Sequence, residues 1–203
     1  MRADQGSRMN EDDFKICKKS GLRRLLIGVE SGSQEMMDWL KKDIKLPQVY
    51  RCADLCKKLG ISVIFPFIVG FLNETQQSVD STVKVAKKLN SMHFNFSTPI
   101  FYFKPYPGTK ITLDAAAEGY QLPKTTQEWS HFDYIGSKGP WVSDEKYAFF
   151  EKFKFYLKLG HGKQDKLYKP LQWLAKLRCK YGFYRFPFEK IIADKIISKQ
   201  KLS

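Results

Sequence analysis

The sequence contains no apolar run close to the roughly 18 residues that a membrane-spanning helix needs. Its opening stretch, MRADQGSRMNEDD, lacks the apolar segment of a secretory signal. A cytoplasmic protein is the expectation. Cysteine is scarce: Cys17, Cys52, Cys56 and Cys179 are scattered without the paired CxxC units of a zinc site, and in the cytoplasm they stay reduced. Cys52 and Cys56 fall on one face of a helix, and with no third ligand nearby packing is their expected role. His93, His131 and His161 share no spacing, so no metal or acid–base role is assigned to them. Low-complexity tracts and fixed-period repeats are absent, which excludes a solenoid, and a 43% hydrophobic content excludes a disordered chain. The 203 residues have room for one medium domain with an appendage, not for two full enzyme domains.

Acidic residues are also in short supply: 21 Asp and Glu face 35 Lys and Arg, for a formal net charge of +14. The excess is uneven. Residues 141–203 hold 15 basic and 6 acidic side chains together with 14 aromatics. A basic, aromatic tail suits an anionic partner, nucleic acid or a phospholipid surface; the plainer reading is a solvated face around a helical core.

Patterning gives the order of elements. NEDDFKICKKS (10–20) runs from acidic to basic and stops at Gly21, the charge order that a helix dipole favours. RLLIGVE (24–30) reads as an apolar strand, and SGS turns the chain into the helix QEMMDWLKK. A helix beginning at Pro47 and closing at Gly60 leads into ISVIFPFIVG (61–70), which carries no charge and is expected to be covered on both faces. QQSVDSTVKVAKKLN, a third strand FNFSTPIFYF (94–103) and the helix TLDAAAEG follow. Repeated strand and helix argue for an α/β fold with about three parallel strands joined by crossover helices. After a polar connector around Pro123, three helices are expected: one from Ser143, one over YKPLQWLAKLRCKYG and one over FPFEKIIADKIISKQK. The division is placed at 1–138 for the α/β unit and 139–203 for a basic, aromatic helical extension. Helical periodicity makes core packing the expected job of Phe149, Phe150, Phe153 and Trp173.

Nothing but MRAD precedes the first helix, and RLLIGVE is too apolar for an edge strand. The sheet is therefore expected to be incomplete, with RLLIGVE an interior strand that lacks a partner. In parallel α/β folds ligands sit at the carboxyl ends of strands, which selects Glu30 to Ser33, Gly70 to Thr75, and Lys104 to Thr109. Gly32 and Ser33 offer amides and a hydroxyl to an anion, or else form a plain helix cap. Glu30 at a strand end suits an amine or ribose hydroxyls, with an ion pair to Lys41 or Lys42 as the rival reading.

The ordered set Arg2, Gly21, GVESGS with Glu30 to Ser33, Lys42 twelve residues after Glu30, Gly70 to Thr75 in IVGFLNET, and Tyr106 to Thr109 in PYPGT resembles the second half of the radical S-adenosylmethionine (radical SAM) barrel. It resembles most the branch fused to a cobalamin-binding domain. The likeness covers about residues 1–135. It implies a partial (β/α) barrel in which Glu30 meets the ribose or methionyl part of S-adenosylmethionine, Ser31, Gly32 and Ser33 shape the pocket, and Lys42 approaches the carboxylate. It also implies that the segment from Pro66 to Gly70 lies along the adenine and that Gly108 marks the last strand's exit.

Two departures stand out. Leu72-Asn73 replaces the family's Pro-Gly, a change that Asn tolerates through left-handed backbone. The C-x3-C-x2-C loop that holds the 4Fe-4S iron–sulfur cluster is missing, so no catalytic residue and no metal ligand is assigned. The resemblance thus implies a fragment that is inactive alone, with the iron–sulfur cluster and a cobalamin belonging to the full-length enzyme. Its partners would be the missing N-terminal half of the barrel and a small-molecule or lipid-like substrate. The alternative is a non-catalytic binding module whose tail contacts an anionic membrane, with RNA ranked second because cobalamin-fused relatives act on lipid-like substrates. A peripheral place at the membrane is the corresponding localisation.

Overall fold

The computed structural model describes residues 1–130, 132, 138–161 and 169–192. The chain divides into two compact units, Met1–Ser143 and a second beginning at Asp144. The first contains α1 (Ala3–Arg8), α2 (Glu11–Lys19), β1 (Arg24–Leu26), α3 (Gln34–Trp39), α4 (Leu46–Leu59), β2 (Ser62–Ile64), β3 (Phe67–Val69), α5 (Gln76–Met92), β4 (Phe96–Ser97), β5 (Ile100–Tyr102), α6 (Lys110–Ala117) and α7 (Thr126–Ser130).

The five short strands form three extended runs. Pro66 separates β2 from β3 and Pro99 separates β4 from β5, because proline has no N–H to give to a ladder. Carbonyls carry the pairing across both gaps: Pro66 O accepts from Val29 N–H and Glu30 N–H (3.2 Å each), and Pro99 O accepts from Phe67 N–H (2.9 Å). All pairings are parallel, with Leu26 opposite Ile64, Ile64 opposite Ser97 and Phe67 opposite Ile100. The result is an α/β fold with parallel strands, whose sheet is not closed into a barrel among the described residues.

Burial along each run alternates. Ile27, Val29, Val63, Phe65, Phe67, Val69, Ile100 and Tyr102 are buried on the helix-covered face. Leu26, Gly28, Glu30, Ile64, Pro66, Ile68, Phe101 and Phe103 are only half-buried or exposed. This corrects the expectation that residues 61–70 are covered on both faces: in an unclosed sheet no described layer lies over the second face. RLLIGVE lacks a partner on its outer side, as expected of an incomplete sheet: among the described residues β1 pairs only with β2, and Leu26 is 57% exposed. An unforeseen helix, α1, starts at Ala3, and the Met1 amino group donates to Leu26 O (2.9 Å). Asn73 is not left-handed; Glu30, Lys41, Asp43 and Phe186 are the described non-glycine residues with positive φ. The connector also holds an unforeseen helix, α7, where Thr125 Oγ1 accepts from Glu128 N–H (3.1 Å) and the Glu128 carboxylate accepts from Lys124 N–H (2.6 Å). TTQE is a capping-box pattern, and that signal was present in the sequence.

The second unit contains α8 (Asp144–Gly160) and α9 (Lys169–Tyr181), and residues 188–192 are helical. The remainder of the third expected tail helix lies outside the described residues. Phe150, Phe153 and Tyr156 of α8 are fully buried, each such apolar side chain contributing about 2–3 kcal/mol. Phe149 packs on Phe153 and Tyr184, whereas Trp173 is 63% exposed, which corrects its assignment to the core. Arg178 on α9 is buried and pairs with Glu189, which also accepts from Tyr156 Oη (2.7 Å).

Burial pushes the Glu189 carboxyl upward, but hydrogen bonds from Tyr156 and its own amide, together with Arg178, outweigh it and hold it below its ordinary value of 4.5. A carboxylate held low when folded stabilises above its unfolded pKa and loses that contribution as pH falls through its folded pKa. The tyrosine near-ultraviolet signal of the second unit should therefore fade on acidification below about pH 4.5. Glu189→Gln should flatten that transition in a circular-dichroism pH titration.

Candidate functional site at the carboxyl ends of the strands

The first run ends on Glu30 in an unusual conformation. Its φ is 68°, and Ser31 N–H donates to Val29 O (2.9 Å), closing a three-residue turn of the rare, strained kind around it. The second run pins this turn from both sides: Glu30 N–H donates to Pro66 O (3.2 Å) and Glu30 O accepts from Ile68 N–H (2.7 Å). Pro66 thus fixes the backbone that presents the carboxylate.

Lys42 reaches the same place by another route. Helix α3 closes in a Schellman motif, with Lys41 N–H on Asp38 O (3.0 Å) and Lys42 N–H on Met37 O (2.9 Å). Lys41 occupies the left-handed position usually given to glycine, at φ 51°, and Asp43 follows at φ 50°. Between them Lys42 turns its side chain to Glu30, where its Nζ donates to Oε1 in an ion pair. The two side chains are only 27% and 19% exposed, so this is a partly withdrawn pair rather than a surface one. Arg2 Nη2 donates to Lys42 O (3.0 Å), bringing a second cation to the corner. A carboxylate beside an ammonium can accept from hydroxyls or an amine while the ammonium holds a carboxylate.

Sequence reasoning missed Gly28. A β-carbon there would stand 2.8 Å from Glu30 Oε1 and 3.3 Å from Lys42 Nζ, so any larger residue displaces the pair. The available signal was its position two residues before Glu30, on the same face of the strand. Arg2 stood in the motif set without a role, and Thr82 gave no sequence signal.

The turn after Glu30 is held from behind. Thr82 Oγ1 on α5 accepts from Gly32 N–H (2.9 Å) and bonds Ser31 Oγ (3.2 Å), while Ser33 N–H donates to Ser31 Oγ (3.1 Å). Ser33 caps α3 through Met36 N–H. Ser31 is fully buried, and a β-carbon on Gly32 would lie 2.4 Å from Ser81 O. These three residues build the wall behind Glu30.

Between the starts of α3 and α5 lies a cleft of about 240 Å³ lined by Ser33, Glu35, Met36, Trp39, Asn73, Thr75 and Ser78. Trp39 meets Phe71 edge to face at 6.0 Å. Gly70, at φ 78°, has its N–H on Glu74 Oε2 (2.7 Å) and its carbonyl accepting from Trp141 Nε1 (2.6 Å). Its α-carbon is closely covered, since a β-carbon would stand 2.6 Å from Val142. Gly108, at φ 82°, sits in the exposed turn before α6 with open space around it, apart from the Glu30–Lys42 pair.

Among the described residues no group of three or more His, Cys, Asp or Glu is placed to hold an ion. Cys52 and Cys56 are buried on α4, and burial pushes their thiols up to about 11 and about 12, so both stay protonated near neutrality. His161 is held below its usual value by burial, and His131 lies outside the described residues.

Two expectations follow. Gly32→Ala drives a methyl group into the backbone of α5 and should cost about 2–3 kcal/mol in urea unfolding. A thiol reagent near pH 7 should modify the half-buried Cys17 first and leave Cys52, Cys56 and Cys179 until the chain unfolds.

Comparison with known proteins bears on this corner. The chain is 28% identical over 151 residues to an uncharacterized methyltransferase of Pyrococcus horikoshii, covering 73% of this chain and 32% of that protein. It is 31% identical over 115 residues to an uncharacterized protein of Methanocaldococcus jannaschii, covering 56% and 24%. It is also 31% identical over 98 residues to the anaerobic magnesium-protoporphyrin IX monomethyl ester cyclase of Rubrivivax gelatinosus, covering 48% and 17%. The chain thus spans about a third or less of the length of these curated relatives. Residues 5–86, which run from α1 into α5 and contain Gly28, Glu30, Lys42, Pro66 and Gly70, match the sequence profile of the Radical SAM superfamily.

Proposed function

We propose that residues 1–138 are the S-adenosylmethionine-cradling part of a radical SAM enzyme, three parallel runs of a larger (β/α) barrel. The observation that carries this reading is the placement of strain. Three of the four described non-glycine residues with positive φ, Glu30, Lys41 and Asp43, frame one ion pair at the strand ends. Each costs on the order of 1–3 kcal/mol, an expense that a fold retains where a site needs fixed geometry. The match of residues 5–86 to the Radical SAM superfamily supports the same place.

The donor set suits S-adenosylmethionine. Glu30 accepts from the ribose hydroxyls or the amino group, Lys42 holds the carboxylate, and Ser31, Gly32 and Ser33 keep the turn against α5. Pro66 orients Glu30, Gly70 shapes the adenine side, and Gly108 lies in the turn that follows the third run. When bound, S-adenosylmethionine supplies radical chemistry through its reductive cleavage. The described residues do not fit the iron–sulfur cluster, because no thiolate trio is present and the buried thiols are protonated. Its ligands, and any cobalamin site, are assigned to polypeptide outside the described residues, which acts as the partner that completes the barrel.

The open face of the sheet carries Leu26, Ile64, Ile68, Phe101 and Phe103, none of them fully buried. Such a lining suits an apolar or lipid-like substrate, in keeping with the magnesium-protoporphyrin IX monomethyl ester in the name of the Rubrivivax relative. No described helix is long and apolar enough to cross a membrane. We place the protein in the cytoplasm, peripheral to the membrane where the second unit meets it.

Isothermal titration of the chain with S-adenosylmethionine tests the assignment. Glu30→Gln and Lys42→Met should each weaken binding at least about tenfold, close to 1.4 kcal/mol, with unfolding midpoints little changed. Wild-type affinity in both variants, or no binding to the parent chain at millimolar ligand, would contradict it.

A further inference from the structure

We infer that the stretch 181–192 of the second unit is a preformed lipid-contacting surface that seats on an anionic membrane. Six of these twelve residues are large apolar side chains turned to solvent: Tyr181, Phe183, Phe186, Phe188, Ile191 and Ile192, each 48–70% exposed. Exposed apolar side chains this dense along one short stretch mark an interaction surface.

The stretch is held in place rather than left loose. Arg178 Nη1 donates to Phe183 O (3.3 Å) and Arg185 O (3.0 Å), Nη2 donates to Phe186 O (3.1 Å), and Nε donates to Glu189 Oε1 (3.2 Å). Tyr184 is buried beneath it, stacked on Tyr156 at 5.8 Å. The lock forces Phe186 into left-handed backbone, φ 51°, and lays its ring parallel to Phe188 at 6.2 Å. A bulky residue is strained there, and the strain fixes two exposed rings outward instead of letting them collapse. A surface already ordered gives up little conformational freedom on docking.

Charge selects the partner. Arg185 and Lys180 are exposed beside these rings, and residues 141–203 carry 15 basic against 6 acidic side chains. An anionic surface is the complement. Between a membrane and RNA, Ile191 and Ile192 decide: aliphatic side chains gain from a hydrocarbon boundary and present no face to a base. Phe186 and Phe188 also stack on each other rather than standing apart to receive bases.

Co-sedimentation of the whole chain with phosphatidylcholine vesicles, with and without phosphatidylglycerol, tests this. The chain should bind the anionic vesicles, less so at high salt. Phe186→Ser combined with Phe188→Ser should lower partition about tenfold. Arg185→Glu should weaken binding to anionic vesicles alone. Both substitutions are at exposed positions, and an unchanged thermal unfolding curve confirms that the fold survives. Absence of vesicle binding, wild-type binding by the double variant, or tighter binding to a labelled RNA than to the vesicles would overturn the inference.

Discussion

Glu30 holds a backbone conformation that residues with a β-carbon rarely adopt, and the second run of the sheet keeps it there. Pro66 O takes its N–H, Ile68 N–H takes its carbonyl, and the turn closes through Ser31 onto Val29. Without the neighbouring run the turn would relax into ordinary extended backbone. Most of the corner depends on this constraint. The turn sets Ser31 and Gly32 against Thr82, it starts α3 at Ser33, and it points the carboxylate at Lys42. The proline that interrupts β2 and β3 has a positive role as well: it cannot donate to the ladder, yet its carbonyl receives two amides from the first run.

Parts of this were legible in the sequence. Helix boundaries followed from Asn10, Pro47 and Gly60, whose capping chemistry is local. The pairing of Glu30 with Lys42 was named as one of two rival readings, and the structure makes the ion pair while leaving it at the mouth of the open face. What the sequence concealed depends on distant residues. Gly28 matters because a carboxylate two residues on and a lysine beyond α3 meet above it. Thr82 matters because α5 crosses behind the turn. The apolar string 61–70 looks fully buried, since composition cannot show that only one face of an unclosed sheet is covered.

The two units use strain in a common way. In the first, left-handed residues flank an ion pair whose partners come from a strand end and a helix end. In the second, a left-handed phenylalanine is clamped by a buried arginine that has already given its donors to three carbonyls and a carboxylate. Each conformation costs free energy, and the gain is that polar or apolar groups face outward in a fixed arrangement before any ligand arrives.

The central claim is that the Glu30–Lys42 corner is where S-adenosylmethionine sits, and amide hydrogen exchange tests it most directly. Added S-adenosylmethionine should slow exchange in peptides spanning residues 28–33 and 66–70, where the two runs are laced together, and Lys42→Met should abolish the effect. Unchanged exchange in both segments, or protection confined to peptides elsewhere in the chain, would contradict the account.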